Sequence, residues 1–75
     1  MKRSDLKLWT IFLNKAKSLT LVYAEDDYRV HVITDKGSTY DITKGKNGNE
    51  DSIIWDYHTV EGVTVKEFIN KVRVN

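Results

Sequence analysis

His31 and His58, with the carboxylates Asp41 and Asp56 and the guanidinium of Arg29, stand in segments whose apolar residues alternate. If Val30, Val32, Tyr40, Ile42, Trp55 and Tyr57 turn toward a core, the opposite pleat carries Arg29, His31, Ile33, Thr39, Asp41, Asp56 and His58. Imidazole, carboxylate and guanidinium on one face are the groups that general acid–base attack on a phosphodiester needs. Nothing in the chain supplies a nucleophile elbow, an oxyanion turn or a metal-ligand spacing beside them. The open pleat of an antiparallel sheet is polar at alternate positions in any case, and facing Arg–Asp or His–Asp pairs are ordinary cross-strand neighbours. No catalytic residue is therefore assigned. With two distant histidines and no cysteine, no metal site and no cofactor are expected either.

Two further stretches invite a chemical reading. Lys44-Gly45-Lys46-Asn47-Gly48 has the composition of a phosphate cradle but not the spacing of a P-loop, and Glu50-Asp51 behind it would repel phosphate. A flexible connector fits that composition better, so 44–51 is expected to be a mobile loop. Nucleic acid could be held by this loop together with Lys2, Arg3, Lys15 and Lys17, with Tyr or Trp rings stacking on bases. The acidic run Glu25-Asp26-Asp27 interrupts any such basic footprint, and the formal charge of +1 lacks the excess that marks nucleic-acid binders.

The elements that must position these groups are signalled unevenly. Thr64-Val65-Lys66-Glu67 is a capping box, and Val63 with Phe68 has the spacing of a hydrophobic staple. Val65, Phe68, Ile69 and Val72 then form one apolar stripe, which predicts a helix over Val65–Val72. Near the N-terminus Ser4 is a good cap, Asp5 favours the first turn, and Asp5–Lys17 is expected to be a helix. Its apolar arc covers more than half the circumference, which fits a helix packed on two sides inside its own domain; the alternative is that Leu8, Ile11 and Phe12 form an outer stripe facing a partner or a second copy. From Leu19 the period becomes two: Leu19–Tyr23, Tyr28–Ile33 and Thr39–Thr43 read as strands, joined by turns at Glu25–Asp27 and Asp35–Gly37. Ser52–His58 reads as a fourth strand. The expected fold is thus α+β: an N-terminal helix, an antiparallel meander of about four strands and a C-terminal helix, in a single domain spanning 1–75. Trp9, Leu13, Val30, Val32, Tyr40, Trp55, Phe68 and Val72 are the expected core.

Composition limits the function further. The chain has 75 residues, no cysteine and no proline, so apolar packing must stabilise a domain near the lower size limit for a single core. Neither a cleavable signal nor a stretch of transmembrane length is visible, and a cytoplasmic protein is expected. Abundant Lys, Asn, Ile, Asp and Tyr suit an AT-rich coding sequence. Size and composition look like those of small phage or mobile-element accessory proteins, which act by binding other proteins. The expectation is a non-enzymatic module that binds and modulates a protein partner or a second copy of itself. Its candidate partner-binding residues are Leu8, Ile11 and Phe12 or, on the sheet, Arg29, His31 and Asp41. The alternative is a nucleic-acid-binding domain using the basic loop and sheet face.

Overall fold

The computed structural model describes residues 1–44 and 53–74. Apart from Lys44, the expected mobile loop at 44–51 lies outside the described residues. The chain builds five strands, β1 (Ile11–Leu13), β2 (Leu19–Glu25), β3 (Arg29–Thr34), β4 (Thr39–Thr43) and β5 (His58–Thr59), followed by one helix, α1 (Val65–Val74). All neighbours are antiparallel, in the order β4-β3-β2-β1-β5. The first four strands form a meander, and the chain then returns to lay β5 beside β1.

The expected N-terminal helix is absent among the described residues. A single 3-10 turn, Arg3–Asp5, takes its place, and Ile11–Leu13 pairs as a strand with both β2 and β5. Trp9 and Lys17, inside the span expected to be helical, have φ of 71° and 59°, values at which a right-handed helix cannot continue. The broad apolar arc has a different cause: β1 is buried on both sides. Phe12 enters one core with Leu6, Val22, Val30, Val32 and Ile42, while Ile11 enters another with Leu21 and Phe68. The fourth strand is also corrected. Ile53 forms only an isolated bridge with Lys2, residues 55 and 56 are a turn, and pairing with β1 begins at His58.

Each face of the sheet is covered by different material. On the first, Met1, Ile54 and Tyr57 close over the Val22–Val30–Val32–Ile42 pleat, and the Phe12 and Tyr57 rings meet at 5.0 Å. On the second, α1 packs against β2 through Phe68, with Val63, Val65, Val72, Leu19 and Ile33 around it. The Thr64 half of the expected capping box is formed: the Thr64 hydroxyl accepts the Glu67 N–H at 3.1 Å. Of the expected core, Val30, Val32 and Phe68 are buried and Leu13, Tyr40 and Val72 partly so, whereas Trp9 and Trp55 are exposed.

Candidate functional site

α1 covers only part of the second face, and the uncovered part contains Arg29, His31 and Asp41 of the polar residues singled out from the sequence. Because Val30 and Val32 are buried, alternation along β3 turns Arg29, His31 and Ile33 to this side. His31 lies directly opposite Asp41 on β4. Backbone bonds join Tyr28 to Lys44 and Thr34 to Ser38, each an odd number of residues away. The His31–Asp41 pair therefore occupies a non-hydrogen-bonded position, where facing side chains approach most closely. The result is an Nδ1–Oδ1 contact of 2.6 Å.

The other side of the ring meets a residue the sequence reading placed only in a turn. Asp26 follows β2, and its Oδ1 accepts the N–H groups of Tyr28 and Arg29 at 2.8 and 2.7 Å, an Asx-type turn. Its Oδ2 lies 3.2 Å from His31 Nε2. Just before, Val22 pairs with Val32 and Ala24 with His31, so Tyr23 is the extra residue of a bulge. The Tyr23 and His31 rings lie 6.4 Å apart. An Asp opening a tight turn before a strand was the available signal for Asp26, although the reach of its second oxygen is set by tertiary geometry.

The electrostatics follow from these contacts. Hydrogen bonds donated by the ring to Asp41 and then to Asp26 raise the His31 pKa above the ordinary imidazole value. The amides of Tyr28 and Arg29 lower the Asp26 pKa. An imidazole bonded to a carboxylate at each nitrogen must carry two protons to donate to both. In that state neither nitrogen is available to take a proton from a nucleophile, which is what acid–base catalysis would require.

Other expected site residues are not brought together. His58 is on β5, three strands from β3 and so roughly 14 Å away at ordinary strand spacing. Asp56 lies in the 55–56 turn. Ile11 and Phe12, grouped with Leu8 as the outer stripe of a first helix, are buried on opposite faces of the sheet, and only Leu8 is at the surface. The basic pairs are also separated. Lys15 and Lys17 lie in the β1–β2 turn, while Arg3 donates to the Thr43 carbonyl at 2.9 Å at the far end of the strands. Lys44 pairs with Glu25 at 3.1 Å. Among the described residues no group of three or more His, Cys, Asp or Glu is placed to hold a metal ion, and no helix is long and apolar enough to cross a membrane.

A second surface was missed altogether. Trp55 is 78% exposed beside Ile53 on a hollow shared with Lys2 and His58, and Trp9 is 53% exposed in the turn before β1. Comparison with protein-family models, with curated proteins and with solved structures gives no match for this chain.

Proposed function

We propose that this chain is a small non-enzymatic module, acting in the cytoplasm, that binds another protein through the exposed Trp55–Ile53 surface. The observation that carries this reading is that both tryptophans of a 75-residue domain lie at the surface. A domain this small needs its large rings for its core. A ring kept out of the core where Trp is the residue type most often dominant in protein interfaces supports a docking role. The His31 cluster supports it from the other side, since both ring nitrogens face carboxylates of this chain rather than a cavity that could hold a substrate. Stacking on bases is the competing use of an exposed Trp, but the separation of Lys2 and Arg3 from Lys15 and Lys17 favours a protein.

Trp55→Ala tests this directly. The variant is expected to melt within about 2–4 °C of wild type, because exposed substitutions change stability by only about 0.5 kcal/mol. It is also expected to lose the partner that the wild-type chain captures from an extract of its source cell, with or without nuclease. A protein interface built on apolar contact weakens little as salt rises, whereas phosphate binding falls steeply. Capture that nuclease abolishes, or that Trp55→Ala leaves intact, would overturn the proposal.

A further inference from the structure

We propose that His31 is a proton-operated clasp that ties the tip of the β2–β3 hairpin to β4 when doubly protonated and lets go of the tip when one proton leaves. The argument is one of hydrogen-bond inventory. Asp41 Oδ1 lies 2.6 Å from Nδ1 and Asp26 Oδ2 lies 3.2 Å from Nε2, so both ring nitrogens face carboxylate oxygens. A carboxylate only accepts, and a neutral imidazole has a single N–H. Once His31 is neutral, one nitrogen presents a lone pair to an anion, and that contact becomes repulsive. The shorter bond to Asp41 keeps its proton, so the Asp26 contact opens.

Asp26 is the residue at which opening is felt. The same carboxylate that meets Nε2 also holds the Tyr28 and Arg29 amides, and the Asp26 N–H donates to the Arg29 carbonyl at 2.9 Å. The surroundings of the ring favour its charged form. From β2 it faces the Tyr23 ring, from the turn Asp26, from β4 Asp41, and from its own strand Arg29, which stands on the same pleat. Glu25 is engaged by Lys44. Among the described residues the charged groups that move the His31 titration are Asp41 and Asp26, and both favour the charged ring. The side chain is 29% exposed, so protons exchange with solvent without any unfolding. Deprotonation loosens the tip that carries Tyr28, which is 59% exposed.

The test is a pH titration of the intact, isotopically labelled chain by nuclear magnetic resonance, with the urea-unfolded chain as reference. The folded His31 midpoint is expected above the unfolded one. Through that step Nε2 should move to its unprotonated shift while Nδ1 stays protonated, and the Tyr28 and Arg29 amides should shift with the same midpoint. Asp26→Asn keeps an oxygen to hold those amides but removes the charge facing Nε2. It is expected to lower the His31 midpoint and to abolish the linked amide shifts, and Asp41→Asn should lower the midpoint further. A folded midpoint equal to the unfolded one would overturn the clasp, as would tip amides that ignore the His31 step. So would an Asp26→Asn variant whose His31 titrates no differently from that of an Asp56→Asn control.

Discussion

On one face of the sheet Phe12, Val22, Val30, Val32 and Ile42 are closed over by irregular chain, the Met1–Leu6 segment and the 54–57 turn. On the other, one helix of 10 residues rests on Ile11, Leu21 and Ile33 and goes no further. At ordinary rises α1 is about 15 Å long, whereas the seven-residue β2 beneath it spans roughly 23 Å. A single short helix cannot cover such a sheet, so part of the second face stays open and polar. The first face is sealed by contacts distant in sequence, the second by an element that specifies itself locally. A small domain can thus complete one core and leave part of the opposite face available for charged side chains.

The largest expected effects come from the anchor of each face. Phe12→Ala and Phe68→Ala each remove a fully buried ring and should each cost about 3–5 kcal/mol in denaturant unfolding. A domain this small has a total stability of only around 5 kcal/mol, so either change brings it close to unfolding. The pair also separates the faces. If Phe68→Ala costs far less than Phe12→Ala and leaves the strand amides protected from exchange, α1 is a detachable cover rather than part of the cooperative unit. Next in size is Asn14, buried at the rim of the closed face, whose Nδ2 donates to the Tyr40 hydroxyl at 3.0 Å while its Oδ1 accepts the Ser18 N–H at 3.0 Å. Asn14→Ala breaks both bonds and should cost about 1–3 kcal/mol.

What was legible in the sequence follows the same division. α1 was readable because its signals are local: Thr64 caps it and Phe68 anchors its stripe. β3 and β4 were readable because Val30, Val32 and Ile42 alternate with Arg29, His31 and Asp41, so the pairing of His31 with its neighbour across the sheet could be anticipated. β1 was not, because Ile11, Phe12 and Leu13 in a strand buried on both faces make the same continuous apolar run as a buried helix. The alternation of Ile53, Trp55 and Tyr57 misled in the opposite direction, since Ile54 and Tyr57 reach the core from a turn and leave Trp55 outside. Asp26 was visible as a turn residue, but its bond to His31 depends on how the bulge at Tyr23 seats the hairpin.

Two hairpin turns show how a signal is lost. In the β3–β4 turn the Thr34 N–H donates to the Ser38 carbonyl, and Gly37 takes φ of 86°. The β1–β2 turn repeats this with Asn14, Ser18 and a lysine, Lys17, at φ of 59°. Glycine announced the first turn, and lysine concealed the second within an apparent helix. The expected effects are opposite in sign and about 1 kcal/mol each: Gly37→Ala destabilises although open space surrounds the position, and Lys17→Gly stabilises by relieving left-handed strain. Thermal melts of the two variants check this. A destabilising Lys17→Gly would mean that the lysine side chain contributes more than its backbone strain costs.

The smallest effects are those of pH, and they distinguish the faces by where they fall. On the open face His31 has a raised pKa, so its contribution is complete below the ordinary imidazole value and is lost as pH rises through the folded one. Asp26 has a lowered pKa, so its contribution is present above the ordinary carboxylate value and is lost as pH falls through the folded one. The hairpin tip is therefore held most firmly between these limits. The closed face responds in alkali: burial, then the neighbouring Tyr40, raises the Tyr57 pKa, and the face weakens as pH climbs past the ordinary phenol range. Melting temperature against pH should show shallow losses from the exposed groups, one in acid as Asp26 is protonated and one above the ordinary imidazole value as His31 loses its proton, and a separate alkaline loss. Tyr57→Phe should remove the alkaline loss alone, and His31→Gln the imidazole loss alone. If either substitution flattens both, the two faces are not independent, and the partition of the molecule into a sealed and an open side fails.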